Sequence, residues 1–407
     1  MKVNIVVPSY WARVSEYGWR HGDAVYDHPT PMDNDGTLPR MLQSLDVLED
    51  KDFKLVIIAV ATTGDIEEEV EKKVAGIIGK ASDSTDIDVL MFGASQLKQV
   101  HELMLKMGGG EYISLLELKG YSNVRNLCLF VSHVLGSQAA VLIDDDEVFE
   151  DQGFMGKAKE FIGKEISGRT VNGVAGYYLR ADGDYHAKIE SDPWMKYWDK
   201  NERMNEAFDD IIGIGPRLKE TPFVFGGNMV IHSDLFTVVP FDPGITRGED
   251  IDYLINARMF GFSLFLDNQL SIKHLPPPKS HPLWMRLKED IYRFVFEREK
   301  INSQEGRSEM TLVSPVDLGS YPGRFLEPDL DEKIEGSCNL LSGMYLKNGD
   351  TVGSEESLRN IELARTDAVP VSNPFQDLCE LQERWKGLME FTAREGVRSG
   401  LRKIIEG

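Results

Sequence analysis

Apolar residues in the first part of the chain alternate between continuous runs and helical spacing. The runs at 3–7 and 55–61 are rich in β-branched residues, which predicts two buried strands. Between them Leu38, Met41 and Leu45 recur three or four residues apart, which predicts a helix with one buried face. A strand, a helix and another strand in this order are typical of a mainly parallel sheet covered by helices.

The same alternation continues to about residue 278. Further strands are predicted at 87–92, 139–143, 174–179, 228–231 and 262–267. A helix is predicted before the strand at 139–143, with Ser122 or Asn123 placed to cap its first turn. Another helix is predicted to begin at Asp250.

Three consecutive prolines at 276–278 form a stiff, extended segment, and we place a domain boundary shortly after them. The predicted organisation is an α/β domain over 1–280 and a mainly helical C-terminal extension over 281–407. Near the end of the chain, Asn373 is predicted to cap a helix that Pro374 opens. Three roles are open for the extension: an interface for homo-oligomers, a cover over a substrate site, or contact with a membrane surface.

Composition narrows the class of protein. The 407 residues are 42% apolar and 28% charged, which is ordinary for a folded globular chain. The formal charge of −22 disfavours binding to nucleic acid or to anionic membranes, so an anionic substrate would need a local basic pocket. The candidates for such a pocket are Arg180, Arg247, Lys273 and Lys279.

Cysteine usage and hydropathy predict where the protein resides. Cys128, Cys338 and Cys379 are widely spaced and odd in number, so they provide no disulfide framework. The N-terminal segment MKVNIVVPSY has only a short apolar run and no cleavage pattern. No apolar stretch approaches the roughly 20 residues that span a bilayer. We therefore predict a cytoplasmic protein with no transmembrane segment.

The strongest chemical signal is the segment VLIDDDE at 141–147, where a buried strand ends on consecutive acids. Ligand sites in open α/β sheets lie at the carboxyl ends of the strands. Carboxylates clustered there bind a hard divalent cation and, through it, a diphosphate. In that interpretation Asp144 contacts a ribose or a sugar and Asp146 binds Mn²⁺ or Mg²⁺. The alternative is a solvated acidic turn.

Several short motifs surround these acids in a fixed order. They are VVPSYW at the N-terminus, GYSNVRN before the acidic strand, IDDDE at its end, and then FGGN, RGEDID and KH. Together they resemble the glycosyltransferases of the GT-A fold, closest in style to the large family that includes cellulose and chitin synthases. The resemblance covers about residues 1–278. It implies a GT-A-type catalytic domain, a nucleotide-diphospho-sugar donor, a hydroxyl-bearing acceptor and Mn²⁺ or Mg²⁺.

The resemblance also implies roles for individual residues. The donor-binding positions are Pro8, Ser9, Tyr10, Gly120, Arg125, Asp144, Asp145, Gly226, Gly227 and Asn228. The metal ligands are Asp144, Asp146 and His274. Glu249 and Asp250 are the catalytic acids, with Asp250 as the base that takes the acceptor's proton if the reaction inverts. Each assignment has a structural alternative: the two acids would cap their helix, and the histidine would lie on the surface.

Two features depart from the family pattern. The second strand ends in VATTGD, where family members usually carry an aspartate that reads the nucleobase, so the nucleotide stays open. An insert at 11–36 separates the first strand from its helix and contains acids together with His21 and His28. We interpret it as a loop over the donor site or as an element that recognises the acceptor. A second metal site and a solvated loop are the alternatives.

Other classes of protein share part of these features. Asp144 and Asp146 also match the nucleophile motif of haloacid-dehalogenase-type phosphatases, although that motif normally lies on the first strand. A sugar-phosphate nucleotidyltransferase shares the fold but usually carries a glycine-rich signature that VVPSYW lacks. A non-catalytic nucleotide-sugar-binding protein is disfavoured by the intact acids at both sites. Within the transferases, a retaining synthase of a small glycosylated solute, with a phosphoglycerate-type acceptor, is the alternative to an inverting enzyme.

Overall fold

The computed structural model describes residues 1–20, 22–82, 87–166, 168–278 and 281–407. Its strands, in chain order, are β1 Val3–Ala12, β2 Thr30–Pro31, β3 Lys54–Ala61, β4 Val89–Phe92, β5 Ala139–Ile143, β6 Glu147–Val148, β7 Glu165–Ile166, β8 Arg169–Thr170, β9 Gly173–Leu179, β10 Leu218–Glu220, β11 Asn228–His232 and β12 Leu264–His274. His21 and Lys279, named above as candidate site residues, lie outside the described residues.

The helices cover the sheet and form the C-terminal part of the chain. They are α1 Leu38–Ser44, α2 Glu67–Ser82, α3 Ala94–Lys106, α4 Tyr121–Val134, α5 Phe154–Glu160, α6 Lys200–Ile211, α7 Ser233–Phe236, α8 Glu249–Met259, α9 Leu283–Asn302, α10 Leu330–Lys347, α11 Thr351–Arg365, α12 Pro374–Ala393 and α13 Glu395–Glu406. Short 3₁₀ helices lie at Leu45–Val47, Gly64–Ile66, Gly110–Leu115, Pro193–Lys196, Pro315–Leu318 and Gly323–Phe325.

The central sheet has the strand order β10-β12-β9-β11-β5-β1-β3-β4. Strands β5, β1, β3 and β4 are parallel to one another, and β9 is parallel to β12. Strand β11 runs antiparallel between β5 and β9. The predicted fold class is thus confirmed: a mainly parallel sheet flanked by helices, with a helical C-terminal region.

Burial on both faces explains why the predicted strands are continuously apolar rather than alternating. In β1, Ile5 belongs to the core on the side of α1 and α2, whereas Val6 belongs to the core on the side of α4. The segment VLI before the acids follows the same rule, because Val141 and Leu142 point into opposite cores. The acids that follow are the first polar positions at the carboxyl edge of this strand.

Local predictions of caps and boundaries had mixed outcomes. Asn373 caps α12 as predicted, because its Oδ1 accepts hydrogen bonds from the two backbone amides at 375 and 376. The predicted cap of α4 is wrong: the helix begins at Tyr121 after Gly120, with no side-chain cap. Strand β12 extends well beyond the predicted 262–267 to His274, after an irregularity in its pairing with β9.

The C-terminal helices share a hydrophobic core with the sheet. Trp385 of α12 is fully buried and its Nε1 donates to the carbonyl of Phe236 at 2.8 Å. Arg398 of α13 donates to the carbonyls of His133 and Val134, which closes the last turn of α4. The division of the chain into 1–280 and 281–407 stays a prediction. None of the helices in the described part of the chain is long and apolar enough to cross a membrane.

We expect the contact between α4 and α12 to make stability depend on pH. Burial, assisted by Arg398, lowers the pKa of His133 to about 4, and its Nε2 lies 3.0 Å from the carbonyl oxygen of Met389. As the pH falls, the unfolded chain takes up this proton near pH 6.5, before the folded chain does, so the free energy of unfolding decreases. Between pH 7 and pH 5 the wild type should lose about 1–2 kcal/mol more than His133→Gln, as measured by urea denaturation. Identical pH dependence of the two proteins would contradict this assignment.

Candidate active site

A cleft of about 320 Å³ opens at the carboxyl ends of β1 and β5, facing the first turns of α4 and α8. Ten of the residues predicted for the site line it: Pro8, Tyr10, Arg125, Asp144, Asp145, Asp146, Gly226, Glu249, Asp250 and His274. Ser9, Gly120, Gly227 and Asn228 are not among its described lining residues. The structure therefore gathers residues from 8 to 274 at one edge of the sheet.

Arg125 joins the two groups of acids that lie farthest apart in the sequence. Its Nη2 lies 2.8 Å from Asp144 Oδ1, and its Nε donates to Glu249 Oε1 at 3.3 Å. Arg125 is 3% exposed, so this ion pairing takes place away from bulk water. Burial raises the pKa of Glu249, and the charge of Arg125 opposes that shift. One guanidinium thus binds both Asp144, the first acid of the turn after β5, and Glu249, the first acid of α8.

Asp146 and His274 form a second pair on the other side of the acidic turn. His274 Nε2 lies 3.2 Å from Asp146 Oδ2, and the imidazole packs on the ring of Tyr178 with centroids 4.6 Å apart. Backbone pairing fixes this geometry, because His274 of β12 pairs with Glu147 of β6 and Leu275 N donates to Asp146 O. Burial would raise the pKa of Asp146, but the hydrogen bond and charge of His274 outweigh it and lower the pKa.

This pair fits a divalent cation that a ligand also coordinates. Within the described ranges, no group of three or more His, Cys, Asp or Glu side chains forms a preassembled metal cluster. Neighbouring ligands of an octahedral ion with bonds of about 2.1 Å lie about 3 Å apart, close to the separation of Asp146 and His274. Mg²⁺ is typically held by one or two carboxylates together with substrate phosphates and water. The donor set therefore suits an ion that arrives with a diphosphate.

Gly226 and Gly227 lie directly against the acids. A Cβ at Gly227 would come within 2.2 Å of Glu147 Oε1 and 2.7 Å of Asp144 Oδ2. The backbone amide of Gly226 donates to Asp250 Oδ2 at 3.0 Å, which links this loop to the start of α8. Sequence analysis predicted a donor role for these glycines. At Gly227 the space of the missing side chain is filled by the chain's own carboxylates, whereas at Gly226 the atom nearest to a Cβ would be Arg125 Nη2, at 2.9 Å.

Two predicted donor-binding residues, Ser9 and Asn228, make hydrogen bonds that stabilise the site outside the described lining of the cleft. Ser9 Oγ donates to Asp145 Oδ2 at 2.5 Å, and Thr37 Oγ1 donates to Asp145 Oδ1 at 3.0 Å. Burial raises the pKa of Asp145 to about 7 against these two hydrogen bonds. Asn228 is fully buried and donates to the carbonyls of Tyr177 and Leu270 beneath the cleft. These contacts hold the acidic turn and β11 in place.

The ring of Tyr10 lies in an aromatic cluster. Its centroid is 4.3 Å from that of Tyr26, in the insert, and 5.4 Å from that of Tyr121, at the start of α4. The Tyr26 hydroxyl accepts a hydrogen bond from the amide of Gly120 at 3.0 Å. Two positions predicted to bind the donor, Tyr10 and Gly120, are therefore both in contact with a ring from the insert.

Tyr178 and Arg293 are among the lining residues of the cleft that sequence reasoning missed. Tyr178, whose hydroxyl accepts from the Gly227 amide at 2.8 Å, lies in an apolar strand that carried no chemical signal. Arg293 comes from α9 of the C-terminal region, is 6% exposed, and its Nη2 has no hydrogen-bond partner. An arginine beside Ile291 and Phe294, inside an apolar stripe, was the available signal for it.

The basic residues named from the sequence divide into two groups. Arg247 lines the cleft, where its Nη2 lies 2.8 Å from Asp27 Oδ2 of the insert. Arg180 instead pairs with Asp182, and Lys273 pairs with Glu150, away from the described lining of the cleft. Only Arg247 of the described candidates therefore belongs to this site.

No family model matches the chain, and no curated protein matches it by sequence. Among solved structures it is similar to the mannosyltransferase PcManGT from Pyrobaculum calidifontis, in complex with GDP-Man and Mn²⁺. That similarity has 12% identity and a TM-score of 0.49, and it covers 97% of this chain and 88% of the other.

Two further structures share less of the fold. Glucosyl-3-phosphoglycerate synthase from Mycobacterium tuberculosis, in complex with Mn²⁺ and UDP-Glc, is 11% identical with a TM-score of 0.36, covering 73% of this chain and 78% of the other. GalNAc-T7 with UDP, GalNAc and Mn²⁺ is 11% identical with a TM-score of 0.36, covering 74% and 51%.

We expect the site to depend on Arg125 for stability. Replacing Arg125 with methionine keeps most of the side-chain length but leaves Asp144 and Glu249 without their shared cation. The free energy of unfolding at pH 7 should fall by about 3 kcal/mol, because removing one member of a buried ion pair leaves the charge of the other member uncompensated. The loss should be smaller at pH 5, where the carboxylates begin to take up protons.

The matched control is Arg359→Met, since Arg359 is 65% exposed in its ion pair with Glu356 on α11. Exposed pairs of this kind contribute about 0–1 kcal/mol. Urea denaturation of both variants tests the assignment. Equal stability of Arg125→Met and Arg359→Met would show that the buried bridge contributes no more than a surface pair.

Proposed function

We propose that the protein is a metal-dependent glycosyltransferase, which moves a sugar from a nucleotide-diphospho-sugar to a hydroxyl group of an acceptor. The observation that carries this proposal is the convergence of Asp144–Asp146, His274 and Asp250 on one cleft at the carboxyl edge of the sheet. The sequence motifs that contain these residues resemble GT-A glycosyltransferases in the same order.

The pair of Asp146 and His274 would hold the cation, since their donor atoms face one another at 3.2 Å. When bound there, Mn²⁺ or Mg²⁺ neutralises charge on the leaving diphosphate without any proton transfer. Asp144 is held by Arg125 and remains about a third exposed at the cleft, so its free oxygen is available to the donor's hydroxyl groups. The turn thus presents two carboxylates with different tasks.

Asp250 is the proposed base of an inverting transfer. It belongs to the first turn of α8 and is anchored through Oδ2 to the amide of Gly226, on the β11 side of the acidic turn. A base has to reach the acceptor hydroxyl on the face of the sugar opposite the leaving group. Asp250 lines the same cleft as Asp146 and His274, and this supports that arrangement.

The phosphatase alternative requires a lysine beside the attacking aspartate. No lysine is among the described residues that line the cleft, and Asp144 is instead paired with Arg125. The aspartates also follow β5, which lies in the interior of the sheet and is not the first strand of the chain. The arrangement of charges therefore favours glycosyl transfer.

The first test is thermal unfolding with UDP, GDP or ADP, each with and without Mn²⁺. We expect one nucleotide class to stabilise the wild type only when Mn²⁺ is present. At a concentration 100 times Kd, the stabilisation corresponds to about 2.7 kcal/mol. Asp146→Ala should lose the effect, because the variant removes one of the two proposed ligands of the cation.

The control is Asp331→Ala, in the first turn of α10, where the carboxylate is 56% exposed and does not belong to the described lining of the cleft. It should respond to nucleotide and Mn²⁺ as the wild type does. If no nucleotide shifts the wild type, or if Asp146→Ala responds equally, the donor site is not where we place it.

A second test separates catalysis from binding. With UDP-, GDP- and ADP-glucose or -mannose as donors and water as a slow acceptor, release of the nucleoside diphosphate reports transfer. Asp250→Asn should reduce this rate by at least about 100-fold, the usual contribution of a general base. The same variant should keep the Mn²⁺-dependent thermal shift, because Asp250 does not contact the cation pair. An unchanged rate of release would remove Asp250 from the mechanism.

A further inference from the structure

A second cavity of about 720 Å³ lies beside the acid cleft, and we call it the insert cavity. It is enclosed by the insert at 11–36, the start of α1 and the segment at 275–278. Its volume lies in the range of small-molecule sites.

The insert cavity adjoins the acid cleft next to the proposed cation pair. The two spaces share Asp27, His28 and Pro276 as lining residues. Two further lining residues bond directly to the site: Thr37 to the carboxylate of Asp145, and Arg40 to the carbonyl that follows His274, at 2.7 Å. A ligand with its diphosphate at Asp146 and His274 can therefore extend into this cavity.

The order of strands determines which part of the ligand extends there. Gly226 and Asp250 lie on the β11 side of β5, whereas the cavity lies beyond β1, with Ala12 and Thr62 in its wall. Among its described lining residues, neither Gly226 nor Asp250 occurs. If Asp250 activates the acceptor, the leaving nucleoside diphosphate points away from it. That direction leads into the insert cavity.

The alternative position for the base is closed by the chain itself. Tyr26 fills the space beside Tyr10, and its hydroxyl accepts a hydrogen bond from the amide of Gly120. Tyr26 is 2% exposed, so moving it would cost a large buried aromatic contact. Tyr26 also lines the insert cavity, so the same residue borders both Tyr10 and that cavity.

The chemistry of the cavity suits a nucleoside. Trp19 lines it and is 51% exposed, so a face of the indole is available for stacking. Thr62 and Asn34 offer hydrogen-bonding groups at the wall, and Pro276 and Pro277 add rigid apolar surface. Apolar and aromatic walls with a few polar groups are what bases and riboses bind.

We propose that the insert cavity binds the nucleoside of the donor, with the base against Trp19 and the diphosphate directed to Asp146 and His274. This proposal rests on the proposed function and adds the location of the nucleoside. The insert thereby becomes part of the donor site, and the base is recognised mainly by residues of the insert.

The test is isothermal titration of UDP, GDP and ADP in Mg²⁺, with inorganic diphosphate as the probe that lacks a base. Trp19→Ala should weaken the binding of the tightest-binding nucleotide by about tenfold, the typical loss of affinity when one base–aromatic stack is removed. It should leave the affinity for inorganic diphosphate unchanged. The control is Tyr17→Ala, two residues earlier, since Tyr17 is 57% exposed and does not belong to the described lining of the cavity.

A filling variant gives an independent measurement. Ser15→Trp places a large ring in the cavity from an exposed position, whereas Glu16→Trp places it one residue away, outside the described lining. Ser15→Trp should reduce the affinity for nucleotide about tenfold or more and leave the affinity for inorganic diphosphate unchanged. Glu16→Trp should leave both affinities unchanged.

The outcomes distinguish this proposal from the proposed function. If nucleotide binds in an Asp146-dependent manner but Trp19→Ala and Ser15→Trp bind it as the wild type does, the nucleoside lies elsewhere and the transferase assignment stands. If both variants weaken the binding of diphosphate as much as the binding of nucleotide, they distort the cation pair and the nucleoside assignment is wrong. If the wild type binds none of the three nucleotides, both proposals fail.

Discussion

The buried guanidinium of Arg125 is the interaction on which the site depends. Asp144 at the end of β5 and Glu249 at the start of α8 are 105 residues apart, and both pair with this one side chain. Two carboxylates that converge in a partly desolvated cleft repel each other strongly unless a cation lies between them. Arg125 supplies that cation from α4, and its planar, permanently charged group can serve two partners at once.

The other acids are accommodated by different means. Burial raises the pKa of Glu147 well above its ordinary value, and Asp144 N donates to its Oε2 at 3.0 Å. Asp145 is held by two hydroxyl groups, and Asp146 by the imidazole of His274. Each of the four consecutive acids thus has its own partner. These partners offset the repulsion between the closely spaced carboxylates of the turn. A cleft built in this way favours binding of a further cation over binding of an anion.

Elements outside the sheet complete the cleft. The insert contributes Asp27, which pairs with Arg247, and Tyr26, which packs on Tyr10. The helix α9 contributes Arg293, which lies so close to Gly248 that a Cβ there would be 2.4 Å from its Nε. Because the C-terminal helices share one core with α4, this arginine is positioned by the same packing that holds Arg125.

The amino-acid sequence by itself was enough to predict the main strands of the sheet, the helices α1, α4 and α8, and the acidic turn at the carboxyl edge of β5. These features follow from local patterns: continuous apolar runs for strands buried on both faces, and polar residues where a strand ends. The cap at Asn373 was predictable for the same reason, since capping involves only neighbouring residues.

Only the tertiary structure could decide which of these residues meet. The pairing of Asp146 with His274 depends on β6 and β12 lying side by side, which is a property of the sheet and not of either segment. Arg293 reaches the cleft, and Tyr26 the insert cavity beside it, because distant elements pack there. Gly227 is required because Glu147 and Asp144 occupy the space of a side chain. Periodicity and spacing report the neighbours of a residue along the chain. Contacts across more than a hundred residues are selected by packing of the whole core, which no local pattern contains.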